Sequence, residues 1–321
     1  MGDVVTSSVA KIPVVVLCGP TAVGKTALAC RVAELFPAEV VSADSRQVYR
    51  GMDIGTAKPT ADEQRRIPHH LIDVVDPDSN FTAADFVAHG QRLIGQIHDR
   101  GALPLVVGGT GLYIRALTAG LIDAPPADEP LRQRLYQDEA EQGEGTLYRR
   151  LQQIDPLQAA TIHPRNLVRV IRALEVFESS GQPLSTWQNQ HGFAEEPYRL
   201  LKIYLDLPRT ELDERINQRV EAMFADGLID EVAALLAAGF NPQHKALKTI
   251  GYREVLQYLA GELDRAGAIA RIQTETRRYA RRQMTWFRKE TAIISFDSLR
   301  ETDNILNAIK CFRMKKGSGY G

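Results

Sequence analysis

Val14-Val15-Val16-Leu17-Cys18, followed at once by Gly19-Pro20-Thr21-Ala22-Val23-Gly24-Lys25-Thr26, is the stretch that decides the fold. The β-branched run reads as a buried strand, the next eight residues have the form G-x-x-x-x-G-K-T, and a helix-forming segment extends to Phe36. Glycines at both ends let the backbone curl so that several N–H groups point inward, toward the positive end of the following helix. Lys25 adds a point charge and Thr26 a hydroxyl suited to Mg²⁺, directly or through water. Residues 19–26 are therefore expected to hold a di- or triphosphate. The loop alone leaves open whether the phosphoryl group is transferred, hydrolysed or simply leaves.

The 321 residues are 44% hydrophobic and 25% charged, enough for one large domain with an insertion or a second small one. A net charge of −1 means that any polyanion contact must come from local clustering. Cys18, Cys30 and Cys311 are odd in number, widely separated and in no C-x-x-C pair, which argues against a disulfide framework and against a zinc site. No apolar run approaches a membrane span, and the N-terminus, with Asp3, lacks a hydrophobic signal core, so a cytoplasmic protein is expected. Residues 1–11 and 315–321 read as frayed or disordered ends.

Downstream, strand and helix signals alternate. Residues 39–42 form a second strand signal that ends at Ala43-Asp44-Ser45-Arg46-Gln47. Ligands gather at the carboxyl ends of strands in an open parallel sheet, so Asp44 is expected on the edge that carries the phosphate loop. There it either holds Mg²⁺ through water, acts as a general base, or caps a turn. Residues 68–76 give a third short strand signal; His69 and His70, adjacent on it, point to opposite faces and have no evident third ligand, which argues against a metal site. A helix is expected over 82–99, with Phe86, Leu93, Ile94 and Ile97 on its core face. A strand at 103–107 then enters Gly108-Gly109-Thr110-Gly111, a second glycine-rich turn expected to offer backbone N–H groups and the Thr110 hydroxyl to the same anion.

From 123 to 199 the alternation stops. A proline-rich entry, residues 123–130, precedes helices at 132–141, 145–153 and 166–179, and a strand returns only at 201–207. The expected fold is α/β, a P-loop NTPase-like parallel sheet with flanking helices. Its core, residues 1–122 and 200–321, is interrupted by an all-helical insertion at 123–199. Helices at 209–225, 228–238, 252–260 and 264–289 and a strand at 292–296 complete it. Projected at about 100° per residue, Arg277, Arg278, Arg281, Arg282, Arg288 and Lys289 share a sector roughly 140° wide, opposite Tyr279, Ala280, Met284, Trp286 and Phe287. No acid lies between 277 and 289, which favours a polyanion contact over a plain solvated face. Arg169 and Arg172 in the insertion, and Lys245, Lys248 and Arg253, extend that track. Arg215 and Arg219, four apart, either bridge to Glu211 or Glu221 or clamp a leaving phosphate.

Six blocks together resemble the tRNA dimethylallyltransferases, also called tRNA isopentenyltransferases. They are Gly19 to Thr26; Asp44-Ser-Arg-Gln-Val-Tyr with Met52-Asp-Ile-Gly-Thr-Ala-Lys-Pro59; Gly108-Gly-Thr-Gly-Leu-Tyr113; Arg169-Val-Ile-Arg-Ala-Leu-Glu-Val176; Ile250-Gly-Tyr-Arg253; and Arg281-Arg-Gln-Met-Thr-Trp-Phe-Arg288. They run in family order over nearly the whole chain. The zinc finger of some eukaryotic relatives is missing, and His163-Pro164-Arg165-Asn166 varies from the H-P-N-D form of many bacterial members.

The resemblance implies transfer of a dimethylallyl group from dimethylallyl diphosphate to N6 of the adenosine 3′ of the anticodon, in tRNAs reading codons that begin with U, with Mg²⁺. The phosphate is then a leaving group. The implied catalytic residues are Asp44, which accepts a proton from or orients the amine, and Thr110 and Arg219, which neutralise charge as the allylic bond breaks. Gln47 would read the adenine edge. The implied tRNA contacts are Asp44, Ser45, Arg46, Gln47 and Thr110 at the site and Arg132, Val168, Arg169, Val170, Ile171 and Arg172 in the insertion. Beyond these they are Lys248, Thr249, Ile250, Gly251, Tyr252 and Arg253, and then Arg281, Arg282, Gln283, Met284, Thr285, Trp286, Phe287 and Arg288. A flipped adenosine needs protein on both sides of the anticodon loop, and the insertion and the basic helix are the expected arms. A monomer is expected. A P-loop kinase, a transferase acting on free adenine nucleotides and an ATP-switched RNA-binding regulator are the competing readings.

Overall fold

β1 (Ile12–Cys18) lies inside the sheet, and Val14, Val15, Val16 and Leu17 have no solvent exposure, as a strand covered on both faces requires. The computed structural model describes residues 10–192 and 195–314; the remaining residues of the two expected frayed ends lie outside the described residues. β2 (Ala38–Ala43), β3 (His69–His70), β4 (Leu103–Gly108), β5 (Tyr198–Asp206) and β6 (Ile293–Asp297) join β1 in an all-parallel sheet of order β3-β2-β4-β1-β5-β6. Cys18 pairs with Gly108, and Gly108 with Ala43, so β1, β4 and β2 end level. The loops that follow them bring Gly19–Thr26, Thr110 and Asp44 to one edge.

Alternate residues of each strand enter different cores, with Val14, Val16 and Cys18 in one and Val15 and Leu17 in the other. The first helices are α1 (Lys25–Ala33), α2 (Ala61–Arg66), α3 (Ala83–Asp99) and α4 (Gly111–Ala119). Thr60 and Thr82 start α2 and α3 with reciprocal capping boxes to Glu63 and Asp85. The third strand is shorter than the sequence suggests. Leu71 and Asp73 take positive φ (62° and 54°) and break the ladder, leaving Val75 in a single bridge to Tyr49.

The chain divides into two compact units, Met1–Thr118 with Pro197–Gly321, and Ala119–Glu196. The second contains α5 (Glu129–Gln142), α6 (Thr146–Ile154), α7 (Pro156–Ala159), α8 (Leu167–Ser180) and α9 (Leu184–His191) around Leu135, Leu147, Leu151, Val170, Ile171 and Leu174. Inside it Glu175, fully buried, accepts the Asp128 N–H at 2.7 Å and ion pairs with Arg132 and Arg172. Burial alone would raise its pKa; these bonds hold it below the ordinary value.

The first unit closes with α10 (Arg209–Ala225), α11 (Leu228–Ala237), α12 (Tyr252–Leu259), α13 (Arg265–Phe287) and α14 (Thr302–Met314). Glu231 on α11 accepts the backbone N–H groups of Asp53, Ile54 and Gly55 at 2.9, 2.7 and 3.1 Å and the Tyr252 hydroxyl at 2.5 Å. Residue 55 is glycine because a Cβ there would lie 2.4 Å from the Tyr252 ring. The buried Lys58 ammonium bonds Tyr49 O, Asp53 and Asp73. One carboxylate and one ammonium thus pin the Met52–Pro59 segment. Glu231→Ala, which strands three N–H groups and a buried phenol, is expected to cost about 3 kcal/mol in urea unfolding. Glu231→Gln, which keeps an acceptor oxygen, is expected to lose less than half of that.

Candidate active site

At the carboxyl edge of the sheet the first unit encloses a cavity of about 640 Å³, a size suited to a small ligand. Thr21, Ala22, Gly24, Lys25 and Thr26 line one side. Gly19, at φ 150°, has no room for a Cβ, which would lie 2.5 Å from Leu205 O. Ala22 is left-handed, φ 66°, a conformation that costs a Cβ-bearing residue roughly 1–2 kcal/mol. Neighbours hold it on both sides. Arg215 Nε donates to Ala22 O at 2.9 Å, and the Thr21 N–H donates to Gln283 Oε1 at 2.9 Å.

Lys25 Nζ bonds only carbonyls, Gly19 O at 3.1 Å and Pro20 O at 2.7 Å, with no carboxylate in ion-pairing range among the described residues. Burial lowers its pKa to about 8, against an upward pull from Asp44 and with Arg219 adding to the depression. Arg219 likewise has no carboxylate partner among the described residues, and burial, then Arg215, depress its pKa. Glu211, a possible rival, pairs instead with Arg300 at 2.6 Å. Arg215 spends its Nε on Ala22, while Arg219 has no hydrogen-bond partner among the described residues, so Arg219 is the freer guanidinium of the pair. Two half-buried cations without counter-ions among the described residues suit an anion.

Asp44 does two things at once. Its Oδ1 accepts the Arg46 N–H at 2.8 Å, capping the turn, while the residue lines the cavity with its second oxygen unpartnered among the described residues. Gln47 Oε1 accepts the Ser42 hydroxyl at 3.2 Å, and Nε2 donates to Ala57 O at 3.0 Å and Thr56 O at 3.4 Å. One lone pair of Oε1 remains for an adenine amino group; a bidentate contact requires Nε2 to release a carbonyl. Val220, Met223, Ile250 and Ile272 supply an apolar part of the wall. Among the described residues no group of three or more His, Cys, Asp or Glu could cage a metal. The donor set of Thr26 with Asp44 fits a hard cation such as Mg²⁺ that keeps mostly water and phosphate oxygens.

The second glycine-rich turn differs from its sequence reading as an anion clasp. The Thr110 N–H donates to Ala43 O at 3.1 Å, and Thr110 Oγ1 accepts the Ser45 N–H at 3.1 Å, with Tyr279 in hydrogen-bonding reach. Thr110 lies behind the cavity wall. The glycines serve close packing: a Cβ at Gly108, Gly109 or Gly111 would lie 2.1 Å from Ala43 O, Gln283 Nε2 or Trp286 Nε1. The turn is a docking surface for β2 and α13.

On α13 the exposed basic residues are Arg265, Arg271, Arg278, Arg281 and Arg282, with Arg288 and Lys289 just beyond its end. Arg277 turns inward to Asn217 and Thr274, Arg278 pairs with Glu275, and Arg282 stacks over Tyr279 at 5.7 Å while lining the cavity. Arg281, Arg288 and Lys289 have no carboxylate partner among the described residues. Val168 and Arg169 are exposed on α8; Lys248, Thr249, Ile250, Gly251 and Arg46 line the cavity.

Several expected tRNA contacts are buried or have partners within the fold. Val170, Ile171, Tyr252 and Phe287 are buried core side chains, because a helix turns part of any continuous motif inward. Arg132 and Arg172 are held by Glu175, and Arg253 by the buried Glu254. Trp286 carries the Arg115 guanidinium 4.7 Å from its ring centre, and Arg115 pairs with Glu290 at 2.6 Å. Met284 packs against the core and the Thr285 hydroxyl bonds Arg281 O. Sequence reasoning gave no role to Tyr279, Met223, Thr56 or Ala57. Tyr279, whose hydroxyl burial pushes up to about 12, was assigned to the apolar face, although Arg282 three residues on marks the same wall.

A family model described as IPP transferase matches residues 47–290. The chain is 54% identical over 300 residues to tRNA dimethylallyltransferase 1 of Syntrophotalea carbinolica, covering 94% of this chain and 96% of that protein. It is 51% identical over 295 residues to tRNA dimethylallyltransferase of Geobacter sulfurreducens, covering 90% and 95%. Among solved structures, full-length tRNA isopentenylpyrophosphate transferase of Bacillus halodurans aligns with a TM-score of 0.70 at 42% identity, covering 94% of this chain and 97% of that one. A eukaryotic dimethylallyltransferase acting on tRNA aligns with a TM-score of 0.79 at 29% identity, covering 92% and 77%.

The depressed Lys25 value sets a pH dependence. Below about 8 the ammonium is charged and can bind an anion; above it the free protein must first take up a proton. Affinity for inorganic diphosphate, measured by calorimetry, is expected to fall as pH rises through about 8, and the ratio of wild-type to Lys25→Met affinity to shrink with it.

Proposed function

The chain belongs to the IPP transferase family, whose members here are tRNA dimethylallyltransferases, and from that premise we propose how its cavity works. It is a prenyltransferase that moves a dimethylallyl group from dimethylallyl diphosphate to N6 of the adenosine 3′ of the anticodon, in tRNAs reading codons that begin with U. The observation that carries this reading is the cavity itself, in which Lys25 and Arg219, neither with a counter-ion among the described residues, the half-free carboxylate of Asp44 and an apolar wall meet.

The amides of residues 22–26 and Lys25 bind the diphosphate, and Val220 and Met223 take the isoprenoid carbons. As the C1–O bond breaks, charge develops on the leaving diphosphate beside Lys25 and Arg219, where fixed positive groups stabilise it. The N6 nitrogen forms the new bond to C1 and gives up a proton toward the second oxygen of Asp44; because that amine is a poor base, placement matters more than basicity. Thr110 acts by holding the Ser45 amide, and so the turn that presents Asp44. Thr26, with Asp44 through water, would hold Mg²⁺, which neutralises diphosphate charge when bound.

Arg281, Arg282, Arg288 and Lys289 on the first unit, and Val168 and Arg169 on the second, are the residues we assign to tRNA. The adenosine reaches N6 chemistry by leaving its stack. No helix among the described residues is long and apolar enough to cross a membrane. We assign the enzyme to the cytoplasm, where its tRNA substrate is, as a monomer.

The test is incubation with labelled dimethylallyl diphosphate, Mg²⁺ and unmodified tRNA carrying a run of adenosines in its anticodon loop. Label is expected in the tRNA with wild type and reduced by about 10²-fold or more with Asp44→Ala. Label in AMP with none in tRNA would replace this reading by prenylation of free nucleotides.

A further inference from the structure

We propose that Gln283 is a positioning residue of the diphosphate site, an amide pin that sets the conformation of the phosphate loop; the proposal deepens the prenyl-transfer reading and rests on it. Gln283 is only 6% exposed and sits on α13 between the buried Ala280 and Phe287, where an apolar residue would be expected. Both ends of its amide are engaged by backbone far away in sequence. Oε1 accepts the Thr21 N–H at 2.9 Å, and Nε2 donates to Gly109 O at 3.0 Å. An amide presents one acceptor and one donor group, so it satisfies an N–H from one loop and a carbonyl from the other, which a carboxylate or an apolar side chain cannot.

The Thr21 amide immediately precedes Ala22, the loop residue with φ 66°, and Arg215 grips the Ala22 carbonyl at 2.9 Å. The bonds at Thr21 N–H and Ala22 O bracket the one left-handed alanine of the loop. The opposite anchor is equally shaped for the amide, since a Cβ at Gly109 would lie 2.1 Å from Nε2. Gln283 therefore acts through the loop. Its two polar ends both bond backbone, while the residue lines the cavity beside Arg282.

Gln283→Met is close in volume and makes neither bond. Binding of inorganic diphosphate to the full chain without tRNA, measured by calorimetry, is expected to weaken roughly tenfold, with KM for dimethylallyl diphosphate rising and KM for tRNA unchanged. Adding Ala22→Gly, which adopts positive φ without a Cβ penalty, is expected to restore at least a third of the lost affinity. If Gln283→Met does not fold by thermal unfolding, Gly109→Ala displaces the same amide from its other anchor and is expected to show the same loss and the same rescue. Unchanged diphosphate affinity with a raised KM for tRNA would make Gln283 an RNA contact and overturn the proposal, as would a loss that Ala22→Gly leaves untouched. The calorimetry needs no transfer to tRNA, so it is decided separately from the prenyl-transfer reading.

Discussion

The constraint on which the cavity depends is the burial of the Lys25 ammonium without a carboxylate to pair it. A protein can keep such a charge only by surrounding it with dipoles, or by letting its pKa fall, and here both occur. The carbonyls of Gly19 and Pro20 turn toward Nζ, and that turn in turn requires the tight backbone from Gly19 to Gly24. Because the loop contains a left-handed alanine, it needs support from elsewhere in the chain, supplied by α10 through Arg215 and by α13 through Gln283. The free protein thus carries an unfavourable charge arrangement that an anion in the cavity would relieve, stabilising the fold by its binding.

The two glycine-rich turns show how similar sequence signals can have different physical causes. In the first, Gly19 and Gly24 take φ of 150° and 102°, so backbone conformation demands glycine. In the second, none of Gly108, Gly109 and Gly111 has positive φ, and what excludes a Cβ is the approach of β2, Gln283 and Trp286. A strand-to-helix context was enough to identify the first turn because its chemistry is local. The second owes Gly109 and Gly111 to a helix about 174 residues later, a pairing that no window of sequence contains.

The same distinction separates what was legible from what was not. The central strands, the helices of strong amphipathic period and the Asp44 edge followed from local pattern and the rule for parallel sheets. Short or weakly patterned elements did not: α2, α7, α9 and α14 drew no expectation, and the third strand was drawn too long because positive φ at Leu71 and Asp73 leaves no hydrophobic trace. Family blocks located the site but assigned whole motifs to one role. Val170, Ile171, Tyr252 and Phe287 lie on inward faces of helices whose neighbours point out, so a contiguous motif mixes packing with recognition. Glu231 went unread because its four partners lie in a loop about 177 residues earlier and on the following helix.

How the acids are distributed explains why the site can be so positive in a chain that is nearly neutral. Glu175, Glu231 and Glu254 each accept backbone N–H groups and none of them lines the cavity. Glu63, the other carboxylate on the cavity wall, is engaged by the Thr60 N–H and hydroxyl. Asp44 and Glu63 each keep one oxygen unpartnered there among the described residues, and the cap on the Arg46 amide fixes where that of Asp44 points. A carboxylate swung into an ion pair with Lys25 or Arg219 would bring their pKa values back up and remove the field that favours an anionic leaving group. Tying each wall carboxylate to a backbone N–H through one oxygen, Asp44 to Arg46 and Glu63 to Thr60, keeps it out of such a pair, so a proton acceptor and an uncompensated anion site share the same cavity.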